Sequence, residues 1–260
     1  AIVLPARLQS TRLPNKLLLE AGGRTILEHT VSKALAARKA NPSLITRVLV
    51  ACDEERLAAA ARRAGADAVM TRPDHQSGTD RIAEAAESLD EDVIVNLQAD
   101  EPEIDPANIR LVAELLAAKN ESAPMGTLVV PLFDEANFRK PNVVKVILSS
   151  SGYALYFSRA PIPFDRDESA ESIALMTLHG RRFFGYHHLG IYAYRRDFLL
   201  GYKNLPTSKL EKLEKLEQLR ALEAGHAIKV AIASSNPPGI DTPDDYDAFL
   251  KRLKHQNSGL

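Results

Sequence analysis

Short β-rich runs alternate with alanine- and leucine-rich helical stretches through the first half of the chain, and this alternation restricts the fold more than any other feature. Apolar residues at helical spacing, such as Leu57, Ala60 and Ala64, occupy the stretches between the runs. Apolar strands joined by helices are typical of a parallel sheet that helices cover on both faces. The runs, which predict a βαβ arrangement of the α/β class, are Ala1 to Leu4, Val48 to Ala51, Val69 to Thr71 and Val93 to Leu97.

The pattern changes after Pro124 to longer extended segments with few helices between them. These segments are Thr127 to Pro131, Val143 to Leu148, Tyr153 to Phe157 and Leu189 to Tyr194. They predict a mixed sheet with helices on both faces and a smaller antiparallel subdomain. No repeat or low-complexity linker divides the chain, so we expect one domain over residues 1–254 and a frayed tail over 255–260. The polar stretch from Asp165 to Ser172 is predicted to be an exposed loop.

Charge and cysteine content exclude several classes of protein. Lys and Arg number 33 against 34 Asp and Glu, so the net charge is −1 and does not favour binding of nucleic acid or of an anionic membrane by bulk charge. No apolar run approaches the roughly 20 residues that a membrane helix needs. The single cysteine, Cys52, excludes an internal disulfide and a multi-cysteine zinc site, and a reducing cytoplasm is the simplest compartment.

A basic loop, PARLQSTRLPNK, follows the first predicted strand directly. It carries Arg7, Ser10, Arg12 and Lys16 at the end of a parallel strand, where ligands gather in open sheets. Guanidinium and ammonium groups neutralise closely spaced phosphates, so the loop predicts a triphosphate site; a solvated basic loop is the alternative. It is neither a Walker loop nor a G-x-G-x-x-G loop, which disfavours a kinase or a dehydrogenase.

Two carboxylates suit a hard cation. Asp100 follows a buried strand in VIVNLQADEP, and carboxylates together with substrate phosphates are ligands that Mg²⁺ accepts. A turn carboxylate before a proline is the alternative. In GIDTPDD, Thr242 and Pro243 predict a helix start, which leaves Asp241 free to face the same site.

The segment TRPDHQSGTDR, from Thr71 to Arg81, is dense in hydrogen-bond donors and turn-forming residues. It ends at a predicted helix start and suits a base or ribose pocket, whereas a purely structural turn would need fewer polar side chains. His75 has no Cys or His partner at ligand spacing, so it is predicted to form hydrogen bonds in the loop and not to bind metal.

Leucines recur at every third position from Leu210 to Leu222 and predict one helix with a broad apolar face. Glu217 would project between Leu210 and Leu213 on that face, where a carboxylate needs a partner or a polar cavity. An acid at the edge of the surface is the alternative interpretation. Gln218 could present its amide beside it.

Two further features lie on predicted strands. Alternation places His188, Tyr192 and Tyr194 on one face, with core tyrosines as the alternative interpretation. Arg159 ends another apolar strand, where it could hold a carboxylate bidentately or form a structural ion pair.

Together, these segments resemble the 3-deoxy-manno-octulosonate (Kdo) cytidylyltransferases, also called CMP-Kdo synthetases. The resemblance runs from Pro5 to Asp245 through PARLQSTRLPNK, TRPDHQSGTDR, VNLQADEP, NVVKV, YALYFSRAPIP, HLGIYAYR, LEKLEQLRALE and GIDTPDD. It implies a nucleotide-diphospho-sugar transferase-like α/β fold, a homodimer that requires Mg²⁺, and transfer of CMP from CTP to Kdo for lipopolysaccharide synthesis. Residues 1–123 would mainly bind the nucleotide, and residues 124–254 would mainly bind the sugar and form the dimer.

The resemblance also implies roles for individual residues. The CTP phosphates would be bound by Arg7, Ser10, Arg12 and Lys16, and the cytidine by the loop around Arg72, Ser77, Gly78 and Thr79. Asp100 and Asp241 would hold the metal and, with Lys16, form the catalytic set. Substrate would contact Gln98, and the sugar-acid pocket would be lined by Arg159, His188, Tyr192, Glu217 and Gln218.

Three positions depart from the family pattern. Asn15 and Leu17 replace the Gly and Pro usual around the loop lysine, and Ala99 replaces the Gly usual before Asp100. None removes a charge, so we expect effects on rate or sugar preference. The rival functions are transfer to another acidic sugar, such as amino-Kdo or a sialic acid, and non-catalytic binding of a nucleotide sugar.

Overall fold

The structure is a computed structural model that describes residues 1–118, 120–167 and 169–258, the last three of these by their backbone only. The described residues form thirteen strands: β1 (Ile2–Ala6), β2 (Glu20–Ala21), β3 (Arg24–Thr25), β4 (Val48–Cys52), β5 (Asp67–Met70), β6 (Val93–Asn96), β7 (Met125–Leu132), β8 (Lys145–Leu148), β9 (Ala154–Ser158), β10 (Thr177–Leu178), β11 (Arg181–Arg182), β12 (Gly185–Arg195) and β13 (Ile228–Ile232).

Ten α-helices and one 3₁₀ helix are also formed by the described residues. The 3₁₀ helix is Lys16–Leu18, and the α-helices are α1 (Ile26–Ala40), α2 (Glu55–Arg63), α3 (Gly78–Ala86), α4 (Pro106–Leu115), α5 (Glu135–Arg139), α6 (Ala170–Leu175), α7 (Arg196–Tyr202), α8 (Lys209–Glu214), α9 (Leu219–Glu223) and α10 (Pro243–Ser258). Within the described ranges, every helix is too short or too polar to span a bilayer.

Nine strands form one mixed sheet, in which seven follow the order β13-β7-β12-β6-β1-β4-β5. β12 is antiparallel to both of its neighbours, β6 and β7. The other neighbouring pairs in this order are parallel. β8 pairs with β12 and β9 with β8, both antiparallel, so these strands of the second half join the main sheet. The predicted mixed α/β fold is confirmed.

The sheet separates two apolar cores. Side chains along β1 alternate between them: Ile2 and Leu4 pack on one face, and Val3 packs on the other. The first core is covered by α1, α2, α4 and α10, and the second by α3, α7 and α9. Of the apolar strands read from the sequence, β1, β4 and β6 are buried on both faces, as a parallel sheet between helices requires, whereas β5 at the edge of the sheet is partly exposed.

The strand order reverses between β1 and β6. The connections through α1 and α2 lead from β1 to β4 and β5, whereas the connection through α3 returns to the other side of β1. Ligands of open α/β sheets bind beyond the carboxyl ends of the strands at such a switch point. Here these ends are Ala6 and Asn96.

The prediction of one helix through the leucine repeat is wrong. α8 ends at Glu214, Lys215 takes a left-handed conformation with φ 53° and ψ 45°, and α9 begins at Leu219. Leu213, which was to lie on the apolar face, is 79% exposed. A single left-handed residue reverses the direction of the chain without changing the hydrophobic spacing, so the repeat cannot reveal it.

Other boundaries also differ from the predictions. β13 was not predicted, although it pairs in parallel with β7. The stretch Asp165 to Ser172 includes the start of α6, which Ser169 caps, and position 168 lies outside the described residues. The expected tail is helical to Ser258, and positions 259 and 260 lie outside the described residues.

Candidate functional site

A cleft of about 360 Å³ opens at the switch point, beyond the carboxyl ends of β1 and β6. Three parts of the chain that were predicted to lie together line it: the basic loop, the turn after β6, and Asp241, two residues before α10. The lining residues are Pro5, Arg7, Gln9, Ser10, Thr11, Arg12, Lys16, Leu17, His75, Gln76, Ser77, Gly78, Arg81, Gln98, Ala99, Asp100 and Asp241. The candidate phosphate and metal residues therefore share one cavity.

Lys16 joins the two candidate metal carboxylates. Its Nζ lies 2.5 Å from Asp100 Oδ2, 2.8 Å from Asp241 Oδ1 and 2.9 Å from the carbonyl oxygen of Ile240. Burial opposes the charged ammonium, but the attraction and hydrogen bonds of the two carboxylates prevail and raise the pKa of Lys16. Arg12 pairs with the other oxygen of Asp241 at 3.0 Å. Four charges of alternating sign thus meet at the mouth of the cleft.

The oxygen atoms that accept hydrogen bonds from Lys16 Nζ are of the kind that also bind a hard cation. All three are oxygens, two from carboxylates and one from a backbone carbonyl. The described residues contain no group of three or more His, Cys, Asp or Glu placed to hold a metal. Mg²⁺ is compatible with so few protein ligands because it keeps water and substrate phosphates in its shell.

Glu101 contributes differently from its neighbour Asp100. Burial, and then the adjacent charge of Asp100, raise the pKa of Glu101 to about 8. The protonated form of Glu101 is therefore favoured at neutral pH, and the carboxylate that reaches Lys16 from this turn is that of Asp100.

The three residues that depart from the family pattern have well-defined surroundings in this structure. Asn15 takes the left-handed conformation, φ 52° and ψ 29°, that favours glycine and that asparagine tolerates better than most residues. Leu17 is 6% exposed and packs in the first core. Ala99 is 3% exposed, and its carbonyl accepts a hydrogen bond from the Thr30 hydroxyl at 2.9 Å.

Only part of the segment from Arg72 to Thr79 faces the cleft. Ser77 and Gly78 line the cleft, and Ser77 Oγ caps α3 by accepting the Asp80 amide at 3.1 Å. Arg72 is instead absent from the lining: it is 66% exposed and lies 3.6 Å from Glu84. Thr79 is buried and does not line the cleft; its side chain lies near Tyr194 and Glu217. Its contact with cytidine remains a prediction.

His75 forms hydrogen bonds as predicted. Its Nε2 is bonded to Glu84 Oε2, and the side chain is 6% exposed. Glu84 also accepts the Arg72 amide at 3.2 Å, so one carboxylate fixes both ends of this turn.

A second set of polar and aromatic groups surrounds the start of α9. Glu217 Oε1 and Gln218 Nε2 are buried without a hydrogen-bond partner among the described residues. Burial raises the pKa of Glu217, although Thr79 and Arg220 oppose the shift. Buried polar atoms without partners carry a free-energy cost, which a ligand rich in hydroxyl groups would offset.

The predicted face of β12 is confirmed. The rings of His188 and Tyr192 lie 5.2 Å apart, and those of Tyr192 and Tyr194 lie 5.9 Å apart. Gly190 and Ile191 form a bulge, because Leu189 pairs with Leu128 while Tyr192 pairs with Thr127. The Thr127 hydroxyl fills the bulge at 2.8 Å from the Ile191 carbonyl and 3.1 Å from His188 Nε2.

The two remaining candidate residues, Arg159 and Gln98, form hydrogen bonds to other groups of the protein. The Arg159 guanidinium donates to the carbonyl oxygens of Glu214, Pro141 and Lys215 at 2.5, 3.0 and 3.3 Å. It therefore anchors the chain just before Glu217. Gln98 lines the cleft and donates from Nε2 to Asn96 Oδ1 at 3.0 Å.

Arg81, which was not predicted as a site residue, lines the cleft and is 3% exposed. A signal was present, since Arg81 lies four residues before Ala85 and therefore on the apolar face of α3. A charged residue on a buried helix face needs a partner.

Comparisons with known proteins show which family the chain resembles. A family described as "Cytidylyltransferase" matches residues 1–229. The chain is 43% identical to the 3-deoxy-manno-octulosonate cytidylyltransferase of Trichlorobacter lovleyi, over 97% of each chain. It is 46% identical to that of Vibrio cholerae serotype O1, over 96% of each. A solved CMP:2-keto-3-deoxy-manno-octonic acid synthetase complexed with CTP has 36% identity and a TM-score of 0.86 over 98% of each chain.

The environment of His188 predicts how stability depends on pH. Burial, and then His187, lower the pKa of His188 to about 3. Because an unfolded histidine binds its proton near pH 6.5, the unfolded chain takes up more protons as the pH falls below that value, and stability is lost. In His188→Gln, we expect the fall in unfolding free energy between pH 7 and pH 5 to be smaller by about 2 kcal/mol.

Urea denaturation at the two pH values measures this difference. The exposed His255 provides the matched control, since His255→Gln removes an imidazole that is not withdrawn from water. An equal loss of stability in wild type and His188→Gln would show that the imidazole is protonated in the folded protein at pH 5.

Proposed function

The chain belongs to the 3-deoxy-manno-octulosonate cytidylyltransferase family, and we propose that it transfers CMP from CTP to Kdo, with release of pyrophosphate. One structural observation carries the proposal: Lys16, Asp100 and Asp241 meet at the mouth of a cleft whose other wall is the Ser77–Gly78 turn. Cationic side chains and two carboxylates share one cavity, which supports a site for a triphosphate and a metal ion. The solved relative of the same shape holds CTP.

The reaction exchanges one phosphorus–oxygen bond for another. The anomeric hydroxyl oxygen of the sugar acid attacks the α-phosphorus, the bond from that phosphorus to the β-phosphate bridging oxygen breaks, and the hydroxyl proton passes to solvent. No covalent enzyme intermediate is needed, so the protein acts through alignment and charge neutralisation. Arg7, Arg12 and Lys16 are the cations of the cleft that would balance the charge of the departing pyrophosphate, and Ser10 lies among them.

We propose Mg²⁺ as the cofactor, held by Asp100 and Asp241. The oxygen donors around Lys16 Nζ support this choice. The ion would supply positive charge to the phosphates and to the attacking oxygen. Lys16 can exchange its carboxylate partners for phosphate oxygens, because a flexible ammonium binds either as a point charge.

The sugar acid is proposed to contact Glu217, Gln218, His188 and Tyr192. The unpartnered atoms of Glu217 and Gln218 support this placement. Thr79, which follows Gly78 directly, lies near Glu217 and is therefore close to both sides. We assign Arg159 mainly to holding the Glu214–Lys215 backbone, with two of its five N–H groups remaining for a substrate carboxylate. The cytidine is proposed to lie against Ser77 and Gly78.

The cellular setting follows from the proposed reaction. CMP-Kdo would serve lipopolysaccharide synthesis, and we propose that the enzyme acts in the cytoplasm. The lone Cys52 is buried, and burial raises the pKa of its thiol to about 11, which suits a residue that remains reduced and unreactive.

The activity is tested by pyrophosphate release from CTP with Kdo, an amino derivative of Kdo and a sialic acid. We expect the highest kcat/KM with Kdo, and no turnover in excess EDTA because the triphosphate and two carboxylates would repel one another. A higher kcat/KM with another sugar acid would contradict Kdo as the substrate. Full turnover in excess EDTA would contradict a metal requirement.

Asp100→Asn tests the metal site. An amide fills the same volume without the negative charge that Mg²⁺ prefers, so we expect a loss of at least about 100-fold in kcat with an unchanged melting temperature. Asp197→Asn, at a side chain that is 99% exposed, is the control for loss of one negative charge. Retained activity in Asp100→Asn would mean that this carboxylate is structural.

A homodimer is proposed from the exposed apolar surface of the second half. Phe164 and Leu175 are 85% and 80% exposed beside a cavity of about 300 Å³ that Phe183 and Met176 also line. Such a patch is costly in water and typical of an interface. Light scattering should give twice the 28.5 kDa of one chain, and Leu175→Glu should lower the mass toward one chain. A wild-type mass of 28.5 kDa would contradict the dimer.

A further inference from the structure

A buried ion pair lies beneath the nucleotide cleft. Asp53 follows β4, and its side chain is 11% exposed; its partner Arg81, on α3, is 3% exposed. Arg81 Nη2 lies 3.1 Å from Asp53 Oδ2. Neither residue belongs to the groups assigned above to phosphate, metal or sugar.

Asp53 uses its two oxygens on two different walls of the cleft. Oδ1 accepts the backbone amide of Leu8, in the basic loop, at 3.1 Å, while Oδ2 binds Arg81, in the loop and helix that carry Ser77 and Gly78. Arg81 continues the connection, since its Nη1 donates to Thr71 Oγ1 at 2.6 Å. Thr71 is fixed in turn by its amide, which donates to the Cys52 carbonyl at 2.8 Å.

The two walls also approach each other directly. A Cβ atom at Gly78 would lie 3.3 Å from the Pro5 ring. Pro5 and Gly78, where the two walls begin, thus lie close together. The Asp53–Arg81 pair then fixes the direction in which each wall extends from this point.

We propose that Asp53 is a positioning residue that sets the separation of the two nucleotide-binding walls. The inference rests on the proposed function in so far as the cleft binds CTP. In the absence of ligand, the Asp53–Arg81 pair holds the basic loop and the Ser77–Gly78 turn at the spacing that the nucleotide spans. Preorganisation of this kind raises affinity because the loops do not have to be ordered upon binding.

A positioning role and a purely electrostatic role of Asp53 predict opposite changes in the affinity for CTP. Removal of a negative charge close to a triphosphate site should strengthen the binding of CTP if charge alone matters. If position matters, removal should weaken binding. Leu8 and Arg81 donate to different oxygens of Asp53, and an asparagine would turn a donor NH2 group toward one of these two donors.

Asp53→Asn is therefore expected to raise the KM and the calorimetric Kd for CTP by about tenfold, as expected for a hydrogen bond to a charged group. The kcat and the KM for Kdo should stay within about twofold of wild type, because Asp53 contacts neither the reacting atoms nor the residues proposed to bind the sugar acid. Glu28→Gln is the matched control: Glu28 is 12% exposed and binds Arg63 at 2.9 Å, outside the cleft. It should leave all four quantities unchanged.

The pattern of change separates positioning from general damage. A merely structural role would lower the active fraction and hence kcat, with both KM values unchanged. Unchanged or tighter CTP binding in Asp53→Asn would overturn the proposal. Should that variant not fold, Arg81→Lys carries the test, since one ammonium cannot replace a guanidinium that reaches Thr71 and Asp53 together; CTP binding within twofold of wild type would then overturn it.

Failure of the proposed function would look different. If wild type bound CTP but released no pyrophosphate with any sugar acid, the transfer reaction would be wrong, and calorimetry with CTP alone would still test Asp53. If wild type did not bind CTP, both proposals would fall.

Discussion

Burial of β1 and β6 on both faces is the constraint from which the arrangement of the site follows. Ile2 and Val3 point into opposite cores, so neither face of this strand can present a charged group to solvent. Charged groups can appear only where the strands end, and the reversal of strand order between β1 and β6 leaves a cleft at that edge. The chemistry of the protein is therefore confined to loops whose starting points the sheet determines.

Those loops are held mainly by contacts between distant parts of the chain. Lys16 brings together Asp100 and Asp241, and Asp53 brings together the two walls of the cleft. In each case one charged side chain forms hydrogen bonds to two groups from different parts of the chain. Buried or partly buried charges of this kind contribute little net stability, but they require one geometry. This suits a site that must align CTP with the sugar acid.

The sequence was sufficient to predict the parallel strands, the basic loop at their edge and a site shared by Asp100 and Asp241, because strand periodicity, strand ends and helix starts are local properties. The grouping of Lys16 with these two carboxylates was implied by the family resemblance. The sequence did not predict the separation of Gly78 from Thr79. These neighbours face opposite sides because α3 begins at Gly78, and one helical step rotates the next side chain by about 100°. It also placed Glu217 on a helix that does not exist, since left-handed Lys215 leaves the leucine spacing intact. Arg159 was understood only in part for the same reason, because its carbonyl partners lie at that break.

The bulge in β12 limits how this strand can change in length. It inserts two residues, Gly190 and Ile191, opposite a single step of β7, so the alternation of side chains is the same before and after it. His188 and Tyr192 can thus remain on one face across the irregularity. Deletion or insertion of a single residue here would turn every following side chain of β12 to the opposite core, including Tyr194. Length variation at this point is compatible with the fold only in even steps.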